Sequence, residues 1–210
     1  MTWRDITLEK YYKIQDLMTV QDDYTVLNLM DLVYGINSED INIWELSKYD
    51  ISFLKNPIEE GKLPKKLEVN GHVYDLKADL TRVTAAQYVD FSNYTKAKTL
   101  KYEDILSVFI IPKGHKYGDG YDINEVKQDI LQLNMVDINA ISQFFFRQFE
   151  LFSETFRLYL IQYLKKEEKE AKGELKEKIQ ETIEKLLEVN FPDLASYHTL
   201  LRTAHSPMKD

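Results

Sequence analysis

The sequence predicts a mainly α protein: a helical domain with one small β-hairpin inserted and a long, aromatic-rich central helix. Three observations carry that prediction. Apolar residues recur at three- and four-residue steps through most of the 210 residues. One Asn70-Gly71 pair sits between two short alternating runs, the strongest two-residue hairpin signal. From Ile138 to Tyr163 a helical repeat of apolar and aromatic side chains runs without a Gly or Pro.

The elements follow in order. Thr7 can cap a helix through Tyr11, Ile14, Leu17 and Met18. A second helix places Val26, Leu29, Met30 and Val33 on one face and stops near Gly35. Ser38-Glu39-Asp40 opens a short third helix, packed through Trp44, Leu46 and Tyr49. These make an N-terminal helical unit over 1–56. Pro57 and Gly61-Lys62-Leu63-Pro64 read as a linker or long turn.

A second region, 65–165, holds the hairpin and a helical core. Lys66–Val69 and His72–Leu76 alternate as strands around the Asn70-Gly71 turn. Thr84 begins a helix through Tyr88, Phe91 and Tyr94. Leu100–Ile111 is expected as an apolar helix ended by Pro112. The stretch 113–121 is a loop holding three of the seven glycines, and Asp122 caps a helix with Val126, Ile130 and Leu131.

The long helix is expected to start near Val136 or Asp137. Ile138, Ile141, Phe145, Phe149, Phe152, Phe156, Tyr159 and Tyr163 form one stripe, thickened until most of the circumference is apolar. Such a helix is buried centrally or lies in an oligomer interface. In Lys165–Lys178 six Lys and five Glu nearly cancel around Gly173, which reads as a helix end and a new start in a solvated region. The third region, 166–210, holds charged helices, with Leu175, Ile179, Ile183 and Leu186 on one face. Phe191-Pro192 breaks it, Leu194–Leu201 gives a last helix, and Ala204–Asp210 frays.

Composition narrows the function classes. Hydrophobic residues make up 44% of the chain, enough for a core. With 27 basic and 35 acidic residues the net charge is −8, which argues against direct nucleic-acid binding. There is no cysteine, so disulfides, thiolate nucleophiles and Cys-based zinc sites are excluded. Met1-Thr2-Trp3-Arg4-Asp5 shows no apolar signal core. No stretch reaches the roughly 18 uncharged apolar residues of a membrane span. Val136–Leu164 comes nearest, but Asp137, Arg147, Glu150, Glu154 and Arg157 interrupt it.

No motif declares catalysis. The chain lacks GxSxG, Walker A and GxGxxG patterns. Asp119 and Asp122 are carboxylates near the loop's glycines, without the offsets of a calcium site. His72, His115, His198 and His205 are scattered outside any metal-ligand spacing, and His72 is expected to be exposed beside the turn. Asp22-Asp23, Glu39-Asp40 and Glu59-Glu60 fit turns and helix starts. The expectation is no cofactor, no metal and no enzyme, with His115, Asp119 and Asp122 the residues to examine for the contrary reading. The Phe stripe keeps two readings, core or docking surface.

Trp3-Arg4-Asp5-Ile6-Thr7-Leu8 with Tyr11-Tyr12-Lys13-Ile14 resembles the opening of helical proteins from tailed phages. Val69-Asn70-Gly71-His72-Val73-Tyr74 resembles the hairpin early in tail assembly chaperones. Leu106–Pro112, Gly114-His115-Lys116-Tyr117 and Asp122 are similar to morphogenesis proteins of crAss-like phages. The resemblance spans about residues 1–165. The added N-terminal helices and charged C-terminal helices depart from the small chaperones.

This resemblance implies a non-enzymatic assembly role. A tail assembly chaperone shields the aggregation-prone tape-measure protein until tail-tube subunits replace it. A groove of Tyr88, Phe91, Phe145, Phe149, Phe152 and Phe156 would receive the partner, and His115, Tyr117 and Tyr121 would contact it from the glycine loop. Implied partners are phage structural proteins or further copies of the chain. The implied locations are the host cytoplasm during assembly and the virion. The alternative is a structural virion component, such as a ring, connector or packaged protein.

Overall fold

A computed structural model describes residues 1–20, 24–76, 82–95 and 100–188. The fold is mainly helical with a small antiparallel sheet. The chain divides into two compact units, one taking in Met1–Phe144 and the other beginning at Phe145.

The first unit opens with a 3-10 turn at Trp3–Asp5, closed by a reciprocal Thr2–Asp5 capping box. Helix α1 (Leu8–Val20) follows, with Thr7 Oγ1 accepting from the Lys10 amide at 3.3 Å. Helix α2 (Thr25–Tyr34) ends where the Gly35 amide donates to the Asp31 carbonyl. Its buried face is Thr25, Leu29 and Val33, at steps of four; Val26, expected on that face, is 49% exposed.

Ser38–Asp40 forms a 3-10 turn rather than the start of a helix. Asn42 is the cap of α3 (Ile43–Leu46), its side chain accepting from the Trp44 and Glu45 amides. Trp44, expected to pack this helix, is 83% exposed. Tyr49 does pack, edge-on to Tyr34 at 4.9 Å.

The segment 57–64 is fitted closely against the start of α7 (Met135–Glu170). A Cβ on Gly61 would lie 2.8 Å from the Val136 carbonyl oxygen and 3.1 Å from the Ala140 side chain. Asn139 also donates to the Glu59 carbonyl. The helices before this segment and the hairpin after it fall in the same unit. Trp3 Nε1 donates to the Asn56 carbonyl, and the chain near Thr7 pairs with Asn134 through Leu8 N–Leu133 O and Met135 N–Ile6 O.

Strands β1 (Leu67–Val69) and β2 (His72–Leu76) form the expected hairpin. Asn70 and Gly71 both take positive φ, 51° and 82°, as a type I′ turn requires. A third strand, β3 (Ile110–Pro112), pairs antiparallel with β2 in the order β1-β2-β3. This corrects the expected Leu100–Ile111 helix, which is confined to α5 (Tyr102–Leu106). Val108, Phe109, Ile110 and Ile111 are all buried; Val108 and Phe109 lie in the turn that follows α5, and the β-branched Ile110 and Ile111 suit the strand. A short apolar run has no periodicity to separate that outcome from a buried helix.

Helix α4 (Ala85–Thr95) starts at a Thr84–Gln87 capping box, and Gln87 also donates to the Val108 carbonyl at 2.8 Å. Helix α6 (Ile123–Leu131) begins as expected at Asp122, whose carboxylate accepts from the Asn124 amide. In α7, Ile138 and Ile141 are fully buried.

The second unit contains the rest of α7 and α8 (Glu174–Glu188). Gln180 of α8 donates to Glu168 of α7 at 2.7 Å, and Ile161 and Ile183 are buried. The stripe expected to run unbroken to Tyr163 changes character here: Phe145 is 1% exposed, Tyr159 61% and Tyr163 50%. Leu175, expected on the packed face of α8, is 60% exposed. The expected Phe191-Pro192 break, the Leu194–Leu201 helix, the tail, His198, His205 and the Asp22-Asp23 pair lie outside the described residues.

Candidate functional site

Within the first unit, a cleft of about 360 Å³ lies between the hairpin, the glycine loop and the start of α6. Its walls are Gly71–Tyr74, Pro112, Lys113, His115, Tyr121, Asp122, Glu125 and Val126. Three local devices build it. The hairpin turn delivers His72 and Tyr74 from one strand. The Lys113 amide donates to the Val73 carbonyl, holding the loop's first residue to β2. The Asp122 cap fixes where α6 begins, and hence where Glu125 stands.

One carboxylate behind the cleft organises the wall. Asp129 of α6 is 4% exposed and accepts three side-chain hydrogen bonds from the hairpin. Asn70 Nδ2 donates at 2.7 Å, His72 Nδ1 lies at 2.7 Å, and the Tyr74 hydroxyl makes a short contact with the same oxygen as His72. Burial alone would raise the Asp129 pKa. The bonds from Tyr74, His72 and Asn70 outweigh it and hold the carboxyl below the usual range.

His72 responds in the opposite sense. Its bond to Asp129 is the main cause holding its pKa above the ordinary value, with Glu125 Oε1 at 3.7 Å from Nε2 adding to it. Burial, then Asp129, pushes the Tyr74 phenol upward, so it remains a donor at neutral pH. The arrangement resembles the His–carboxylate half of an acid–base relay. Among the described residues, though, the cleft lining presents no serine, threonine or cysteine as a nucleophile.

The loop residues separate. His115 and Tyr121 line the cleft with their rings edge-on at 5.9 Å, and His115 Nδ1 lies 3.2 Å from the Asp119 carbonyl. The Tyr121 hydroxyl is buried beside the Gly118 backbone. Burial holds its pKa up, partly offset by the Gly118 backbone. Tyr117 turns to α4, donating to Asp90 at 2.6 Å. Asp119 and Asp122 serve the loop turn and the α6 cap.

The expected aromatic groove is divided as well. Phe91 is 1% exposed and packs edge-on to Phe109 at 5.5 Å, so it is core. Phe145 is equally buried and offers no surface. Tyr88 is half-buried on α4. Phe149, Phe152 and Phe156 fall within α7, but their side chains lie outside the described residues. Exposed apolar surface appears instead on α7 at Leu158, Tyr159 and Tyr163.

Asp129 and Asn70 were not legible as partners. The signal was present in α6: Asp129 sits with Val126, Ile130 and Leu133 at three- and four-residue steps, an acid on an apolar face. A carboxylate there must find donors, and the hairpin supplies them.

Among the described residues, no group of three or more His, Asp or Glu is placed to hold a metal, and no helix is long and apolar enough to cross a membrane. The fold and site define a mainly α protein with a small antiparallel sheet and a polar, hairpin-walled cleft. The chain matches no protein-family model, no curated protein and no solved structure.

Proposed function

We propose that this protein is a non-enzymatic assembly factor of a tailed phage, of the tail-assembly-chaperone kind, which holds a tape-measure or tail protein through an apolar helical surface. The observation that carries the reading is the outer face of α7. Tyr159 and Tyr163 stand four residues apart on one helix face, 61% and 50% exposed, with Leu158 beside them at 50%. Two tyrosines and a leucine offer broad apolar contact with polar tips, the chemistry that receives an amphipathic helix. The net charge of −8 suits a basic partner segment. The resemblance of the 69–74 hairpin to tail assembly chaperones supports the same role.

Quantitative mass spectrometry of infected cells and purified particles tests the role. A chaperone is abundant in infected cells and missing from mature particles. Stoichiometric copies in the particle overturn the chaperone reading and make the protein a virion component.

A further inference from the structure

We infer that Asn70, His72 and Tyr74 of the hairpin and Asp129 of α6 form a proton-responsive clamp, gripping the hairpin tip tightly while His72 is charged and more loosely when it is neutral. The geometry is unusual for so short an element. β1 has three residues and β2 five, yet three side chains of the hairpin converge on one buried carboxylate 55 to 59 residues away. Leu67 and the Tyr74 ring are buried and anchor the base of the hairpin. At the tip, Glu68 and Gly71 are exposed, so the hold there rests on Asn70 and His72.

The groups facing His72 decide the sign. From α6, Asp129 and Glu125 favour the imidazolium. From β2, Tyr74 lies edge-on at 6.4 Å and stays neutral. Across the cleft, Lys113 opposes the imidazolium, Asp122 favours it, and His115 and Tyr121 complete the lining. The nearest contacts are carboxylates, so the folded hairpin binds the proton more tightly than a released one. Its contribution is therefore full below the ordinary histidine value of about 6.5 and declines as pH rises through the raised folded value. The neutral ring still donates from Nδ1, so the grip weakens rather than vanishes. Because His72 and Tyr74 are cleft walls, the same proton sets how firmly that wall is held.

The test follows the His72 ring by NMR against pH, together with hydrogen exchange at the amides of Leu67–Val73, each corrected for intrinsic exchange and referenced to α1. The expected result is a His72 titration above the ordinary value. Hairpin protection should fall through that titration, by about tenfold for each pH unit of elevation, while α1 stays flat. His72→Gln keeps a donor but cannot take the proton, and should abolish the pH dependence. Asp129→Asn should return the His72 titration to the ordinary range. A His72 titration at or below the ordinary value overturns the clamp. So does hairpin protection that is independent of pH, or that has the same pH dependence in His72→Gln.

Discussion

His72 Nδ1 lies 2.7 Å from Oδ2 of Asp129, a carboxylate 57 residues further along the chain. The contact joins a hairpin tip to the last turn of a helix; Tyr74 donates to the same oxygen, and Asn70 to the other oxygen of that carboxylate. Removing the acceptor strands several donors together. Asp129→Ala should lower stability by about 3 kcal/mol in chemical denaturation, because the buried Tyr74 hydroxyl loses its charged acceptor and the more exposed Asn70 and His72 lose theirs with it. His72→Gln, at a half-exposed position, should cost far less.

Acid should act through the same carboxylate. The Asp129 pKa is held below its unfolded value, so its contribution is present above about pH 4 and is lost as pH falls through the folded value. Thermal midpoints measured from pH 6 down to pH 2 should decline on the acid side in the wild type. Asp129→Asn should show a shallower decline.

Gly61 faces a different constraint. A methyl group there would meet the Val136 carbonyl oxygen at 2.8 Å and the Val136 side chain at 2.9 Å. Backbone in a helix cannot retreat cheaply, so Gly61→Ala should destabilise by about 1–3 kcal/mol. Gly61→Ala with the thermal midpoint unchanged would contradict the close fit of segment 57–64 on α7.

Two aromatic substitutions separate core from surface. Phe91→Ala should cost about 3–5 kcal/mol, since the ring is buried against Phe109. Tyr159→Ala should stay within about 0.5 kcal/mol, because that side chain is 61% exposed. Denaturant midpoints of the two variants, measured side by side, check both.

Periodic elements were legible because their signals are local. The Asn70-Gly71 turn, the Asp122 cap, the Thr7 and Thr84 helix starts and the two sides of Gly173 all follow from residues within a turn of each other. Strand β3 was not legible, because Val108–Ile111 is apolar throughout and only its pairing with β2 distinguishes strand from helix. The long helix was legible in extent, but its stripe did not reveal that Phe145 would be buried and Tyr159 exposed. Of the site, the sequence marked His115 and Tyr121 through their glycine-rich loop. It left the Asp129 network unread because Asp129 lies 55 to 59 residues from its hairpin partners.

The docking claim is tested most directly by titrating a purified tape-measure fragment into the full chain, wild type and Tyr159→Glu/Tyr163→Glu, with calorimetry for affinity and a thermal melt as control. The wild type is expected to bind the fragment and keep it in solution. The double variant should melt at the same temperature but bind at least about tenfold more weakly. No binding by the wild type, or equal binding by both proteins, would contradict it.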